Sequence, residues 1–195
     1  MRPEKLVVAT ANPDKLTEIS FVLNGIVELE PRPVEMPEVI EDGLDLESNA
    51  RLKAKAVCEF TKKPAISDDT GLEVDALGGA PGVHSARFAG EDATYLKNVE
   101  KILEELSGIP AHLRTARFVT VAMVYYPDGK EISSRGIVEG HILEVPLGAG
   151  GFGYDPVFVP VEGDGRTFAE MGDEKHNFSH RARAFRYLSY SLRNQ

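Results

Sequence analysis

The run Leu6-Val7-Val8-Ala9 reads as a buried strand, and a helix opens only a few residues later. Asn12 has the side chain of an N-cap, and Pro13 suits the first helical position. A strand that feeds a helix this quickly must lay it back on a sheet, which commits the chain to layered α/β architecture from its start. The first helix carries an apolar stripe of Leu16, Ile19, Val22 and Leu23, and residues 26–30 read as a second strand. Residues 46–60 form a strong amphipathic helix. Residues 64–66 and 72–74 read as short strands on either side of a polar turn, Ser67-Asp68-Asp69-Thr70. After a Gly/Pro-rich loop over 78–90, residues 93–106 read as a helix that Gly108 and Pro110 end. Residues 115–126 and 130–139 read as hairpin strands about Pro127-Asp128-Gly129. A glycine-rich loop covers 148–153, and a last helix runs from about 179 to 192. Strands and helices do not alternate strictly, so the expectation is a mixed sheet with helices against it, in one domain spanning residues 1–195.

Composition narrows the function classes. The 195 residues carry 31 acids and 22 bases, a net charge of −9, which disfavours a basic nucleic-acid-binding face. Cys58 is the lone cysteine, so no intramolecular disulfide or cysteine zinc cluster is possible. No apolar run reaches the ~18 residues of a membrane span, and the first residues have no signal-peptide pattern. The expectation is a soluble, cytoplasmic protein. Its charge is uneven. Residues 28–47 hold eight acids against Arg32, whereas residues 176–195 hold four arginines and no acid. Either these are two solvated faces, or the acids hold a cation and the basic stretch meets a polyanion.

Four places carry possible chemistry, each with a plainer alternative. Thr10, Asn12 and Lys15 surround a helix N-terminus, where unpaired N–H groups and the dipole suit a phosphate, or they form a well-capped helix with a surface lysine. Lys53 falls among Leu46, Ala50, Val57 and Phe60 on the apolar side of its helix. It either snorkels to water or reaches into a cleft, to meet substrate phosphates or nearby acids. Asp68 and Asp69 either make a turn or hold Mg²⁺ and orient water, with Glu41 a second candidate ligand. His180 and Arg181, at the start of the last helix behind Ser179 as N-cap, are either a polar surface start or donors presented outward to a ligand. The string Gly148-Ala149-Gly150-Gly151-Phe152-Gly153 matches a dinucleotide fingerprint by letter. A turn and a strand follow it rather than a helix, so that reading is rejected, and a loop stacking a flat ligand fits better.

Taken in order, several segments resemble the inosine-triphosphate pyrophosphatase family, also called XTP/dITP diphosphatases. They are Thr10-Ala11-Asn12-Pro13-Asp14-Lys15, Glu41-Asp42-Gly43, residues 47–54 with Asn49 and Lys53, and Ser67-Asp68-Asp69-Thr70-Gly71-Leu72. Residues 79–87, Gly151-Phe152-Gly153-Tyr154-Asp155-Pro156, and Lys175 with Ser179-His180-Arg181 complete the set. The resemblance implies a two-lobed α/β fold around a long mixed sheet flanked by helices, with the active site in the cleft between lobes, and a homodimer. It implies Mg²⁺-dependent hydrolysis of ITP, dITP and XTP to the monophosphate and pyrophosphate, clearing them from the nucleotide pool. It makes Thr10, Asn12, Lys15 and Lys53 triphosphate contacts, Lys53 and Asp69 catalytic, and Glu41 and Asp69 metal ligands. Thr70 becomes a further substrate contact. Phe152, Gly153, Tyr154 and Asp155, with Lys175, His180 and Arg181, become the nucleoside pocket.

Rival readings are a septum-formation-type nucleotide pyrophosphatase and a nucleotide-binding module without turnover. Residues 151–156 and Ser179-His180-Arg181 argue against the first, and the joint presence of Glu41, Lys53 and Asp69 against the second.

Overall fold

In the computed structural model of the chain, which describes residues 3–193, seven strands hydrogen-bond in the order β2-β1-β3-β5-β6-β7, with β4 pairing to β3. They are β1 (Glu4–Val8), β2 (Val27–Glu30), β3 (Ala65–Val74), β4 (Pro81–Gly82), β5 (Thr115–Tyr125), β6 (Glu131–Ile142) and β7 (Phe158–Pro160). β1 runs parallel to both β2 and β3, whereas β4 and β7 pair antiparallel to β3 and β6, so the sheet is mixed. The helices are α1 (Pro13–Leu23), α2 (Leu46–Thr61), α3 (Tyr95–Glu105), α4 (Phe168–Met171) and α5 (His180–Arg193). Met1 and Arg2, the start of the segment read as carrying no leader pattern, lie outside the described residues. No helix among the described residues is long and apolar enough to cross a membrane.

The chain folds as two compact units. Within the described residues, the first takes the chain up to Asp69, then Thr120–Gly136, then from His180 onward. Strand alternation organises it. Leu6, Val8 and Ile66 point to one side and pack with Ile19 and Leu23 of α1 and Ala184, Phe185 and Leu188 of α5. Val7, Ala9 and Ala65 point the other way and pack with Val57 and Cys58 of α2. The second unit is Thr70–Val119 with Ile137–Ser179, and has its own core of Leu72, Val99, Ile102, Phe118, Phe158 and Phe168 among others.

The structure departs from two sequence expectations. Residues 65–74 are one continuous strand, not two short strands about a turn, so Asp68 and Asp69 lie within β3. Burial of both carboxylates against cations lets these turn-forming residues remain extended. Phe60 is 46% exposed, because the buried stripe of α2 runs Leu46, Asn49, Ala50, Lys53, Ala54, Val57, Cys58 and passes it by. α4 was not anticipated, although Thr167 and Glu170 form a capping box that the sequence displays. The glycine-rich loop is followed by a turn and β7, not a helix, in agreement with the rejection of a dinucleotide fingerprint.

In the first unit, the start of α5 lies directly on β6. A Cβ at Gly136 would sit 2.1 Å from the His180 carbonyl oxygen and 2.4 Å from the Ala184 nitrogen. Both are backbone atoms and cannot swing aside. Gly136→Ala is expected to cost about 1–3 kcal/mol, read as a fall of several degrees in Tm. An unchanged Tm would show that β6 and α5 yield to the added methyl.

Candidate active site

In the first unit, adjacent aspartates in an extended strand point to opposite faces, so Asp68 and Asp69 enter two different charge clusters. Parity decides which. Ser67 shares a face with Asp69, and its hydroxyl donates to the Ala50 carbonyl of α2 at 2.6 Å. Asp68 shares a face with Ile66, on the side that α1 and α5 cover.

The α2-side cluster centres on Lys53. Its ammonium is 2.7 Å from Oδ1 of Asp69 and 2.7 Å from Oε2 of Glu41. Only 8% exposed, Lys53 is paired with the nearby acids rather than snorkelling to water. Burial opposes its charge, but Asp69, Glu41 and Asp68 outweigh that and raise its pKa above the ordinary lysine value. For Asp69, burial is the largest influence and raises its pKa against the pull of Lys53 and Lys15. Asn49, absent from the expected site set, ties this cluster together. Its Oδ1 accepts from the Gly43 N–H at 2.8 Å, and its Nδ2 donates to Oδ2 of Asp69 at 3.4 Å. The segment carrying Glu41 is thereby anchored to α2. A polar residue in the buried stripe of a helix was the sequence signal for Asn49, as it was for Lys53.

The α1/α5-side cluster holds Asp68 between Lys15, at 3.2 Å, and Nε of Arg181, at 3.1 Å. A second nitrogen of Arg181 donates to Glu18 of α1, another residue that the sequence reading missed. Arg181 is 2% exposed, which overturns the expectation that the start of α5 presents its donors outward. Two buried carboxylates draw its guanidinium inward. His180 is buried as well. Asn12 caps α1 as expected, its side chain accepting from the N–H groups of Asp14 and Lys15, while its own N–H donates to the Thr10 hydroxyl. Two N–H groups offered for a phosphate are therefore taken by the cap. Burial lowers the pKa of Lys15 despite Asp68. Burial favours protonation of Asp68, but Lys15, Arg181 and Lys53 overcome it and hold the carboxyl far below the usual range.

The second unit brings together Phe152, Asp155 and Lys175. The Asp155 carboxylate lies 2.6 Å from the Lys175 ammonium, and the same oxygen accepts from the Phe152 N–H at 2.9 Å. Gly151 adopts φ +68, and a Cβ there would sit 2.1 Å from that oxygen, so the loop requires glycine. The Lys175 ammonium stands 5.1 Å from the Phe152 ring centroid. Tyr154 belongs to the unit's core, and its hydroxyl donates to the Ser85 carbonyl. Gly153 has φ +62 in the same loop, and Thr70 is the unit's first residue.

Among the described residues, no three or more His, Cys, Asp or Glu side chains group as a protein-only metal site. Glu41 and Asp69 are two carboxylates on one ammonium, leaving one negative charge in excess. That suits Mg²⁺, which is held by one or two carboxylates together with waters and substrate phosphate oxygens.

The depressed pKa of Asp68 links stability to pH. With a folded value below the unfolded value of about 3.9, its contribution is present above pH 4 and is lost as pH falls further. Asp68→Asn is expected to lose about 3–5 kcal/mol in urea unfolding at pH 7, and to flatten the fall in stability between about pH 5 and 2.5. An acid limb as steep as that of wild type would assign the acid sensitivity to other groups.

Known proteins resemble this chain along nearly its whole length. Residues 6–190 match the model of the Ham1 family. A dITP/XTP pyrophosphatase of Symbiobacterium thermophilum is 47% identical over 190 residues, covering 94% of this chain and 92% of that protein. One of Shigella flexneri is 43% identical over 196 residues, covering 98% and 99%. The solved structure of a HAM1 protein from Coxiella burnetii superposes with a TM-score of 0.89 at 35% identity, covering 98% of this chain and 100% of that one. A nucleoside-triphosphatase, dITP/XTP pyrophosphatase from Mycobacterium abscessus gives 0.76 at 42% identity, covering 96% and 98%. With a family match over nearly its whole length and relatives this similar at full coverage, the chain belongs to the Ham1 family.

Proposed function

We propose that the protein hydrolyses non-standard purine nucleoside triphosphates, dITP, ITP and XTP, to the monophosphate and pyrophosphate, and so clears them from the nucleotide pool. The observation that carries this reading is the Lys53 ammonium held between Glu41 and Asp69, in a chain whose relatives are named dITP/XTP pyrophosphatases. On the resemblance alone, the same reading makes it a cytoplasmic homodimer.

Each group has a role in that reaction. Lys15 and Lys53, with Thr10, Asn12 and Thr70, contact the triphosphate, which carries about four negative charges near neutral pH and requires cations to offset them. Glu41 and Asp69 would hold Mg²⁺, which when bound supplies further neutralisation of phosphate charge. Water adds across the anhydride between the α and β phosphates, that bond breaks, and pyrophosphate departs. Asp69 accepts the proton of the water. Asp68 and Glu18 are positioning residues: they hold Arg181, and Asp68 also faces Lys15. On the nucleoside side, Phe152 stacks the base, with Gly153, Tyr154 and Asp155 shaping the loop. Lys175 supplies donors that match O6 of hypoxanthine or xanthine. An adenine amino group in that position would leave them unpaired.

The decisive assay incubates the protein with ITP, XTP, dITP and the four common triphosphates, with and without Mg²⁺, and separates the products. Pyrophosphate and IMP from ITP, with Mg²⁺ required, are the expected outcome. IDP and orthophosphate as first products would place the cleavage at the other anhydride.

Lys53→Met retains the bulk of the stem and removes the charge. It is expected to lower kcat about 10²–10³-fold. It also destabilises the fold, because Asp69 loses a buried partner. Unfolding midpoints measured alongside kinetics separate the two effects. Turnover near that of wild type would remove Lys53 from the chemistry.

A further inference from the structure

Tyr95 opens α3, immediately after the Thr94 cap, and its ring centroid lies 5.7 Å from that of Phe152 with the planes tilted by 44°. The two residues are far apart in sequence and both belong to the second unit. Neither ring is part of that unit's hydrophobic core. Tyr95 is 45% exposed, and Phe152 is only partly buried. Large aromatic rings normally gain their stabilisation by burial, and a pair left at the surface adds little to the core.

Phe152 is otherwise tightly held. The Asp155 carboxylate fixes its backbone N–H, the Lys175 ammonium stands near its ring, and glycines flank it. Its loop has no regular secondary structure, and the flanking Gly151 and Gly153 both lie at positive φ. A ring on such a loop needs a support outside the loop to hold a single orientation. Tyr95, on the first turn of an eleven-residue helix, supplies one.

We propose that Tyr95 is a positioning residue for the purine base: its ring holds the Phe152 ring and widens the aromatic surface on which the base lies. The proposal rests on the reading above that Phe152 stacks the base. Face and edge contacts between aromatic rings favour offset and tilted arrangements, so a tilted pair can brace one ring while leaving surface for a third. The phenol hydroxyl is not required by this role, and the ring is.

The test uses Tyr95→Ala, Tyr95→Leu and Tyr95→Phe in the full chain. Steady-state kinetics are measured with ITP and with inorganic triphosphate, which has no base. IMP binding is measured by calorimetry, which requires no turnover. Tyr95→Ala and Tyr95→Leu are expected to raise KM for ITP and Kd for IMP by about three- to tenfold, with kcat within about twofold of wild type. Tyr95→Phe should restore both values, and hydrolysis of inorganic triphosphate should stay unchanged in all three. An unchanged KM and Kd in Tyr95→Ala would overturn the proposal. A Tyr95→Phe variant as weak as Tyr95→Ala would overturn it too, by assigning the effect to the hydroxyl. An equal loss with inorganic triphosphate would make Tyr95 merely structural. Wild-type protein that binds IMP without hydrolysing ITP would count against the proposed reaction, and the binding series would still decide the role of Tyr95.

Discussion

The alternation of side chains along β3 is the constraint on which the first unit's chemistry depends. Asp68 and Asp69 are neighbours in sequence, yet an extended backbone sends them to opposite faces of the sheet. One carboxylate meets α2 and Lys53, and the other meets Lys15 and Arg181. In a turn, two adjacent carboxylates would instead repel one another over a short distance and remain solvated. The strand separates them, and each is buried with cations of its own.

The two clusters differ in charge balance, and that difference assigns their work. Around Asp68 and Glu18, two carboxylates face Lys15 and Arg181, a neutral set. Burying it costs several kcal/mol of desolvation per ion, and at Asp68 the neighbouring cations outweigh that cost. What the network contributes is position, since α1, β3 and α5 are held in register by charged hydrogen bonds as well as by the shared core of Leu6, Ile19 and Phe185. Around Lys53, two carboxylates share a single ammonium. The excess negative charge, together with the partial exposure of Glu41, sets that cluster apart from the neutral one.

The second unit builds its loop by a different principle. Asp155 uses one oxygen for both the Phe152 N–H and the Lys175 ammonium, and only a glycine at position 151 allows that oxygen to come so close. The glycines that look like a phosphate-binding fingerprint are therefore present for steric room and positive φ. A Cβ at Gly150 would lie 2.7 Å from the Ala169 carbonyl oxygen, so the same loop packs closely on α4.

Much of the fold was legible because its signals are local. The Asn12-Pro13 cap, the amphipathic stripe of α2, the hairpin about Asp128-Gly129 and the rejection of a helix after Gly153 all rest on spacing within one or two turns. Lys53 was legible as an anomaly, a cation inside an apolar stripe. The sequence by itself thus determined most of the elements, the family, and the residue types that hold charge at the site. Tertiary structure alone decided the partners. Composition near Ser67-Asp68-Asp69 reads as a turn, and only pairing of β3 with β1, together with buried cations from α1, α2 and α5, makes it a strand. Arg181 reads as an exposed helix start, and only Asp68 and Glu18, 113 and 163 positions away in the chain, turn it inward. Coulombic pairing acts through space at a few ångströms, and sequence spacing carries no record of it.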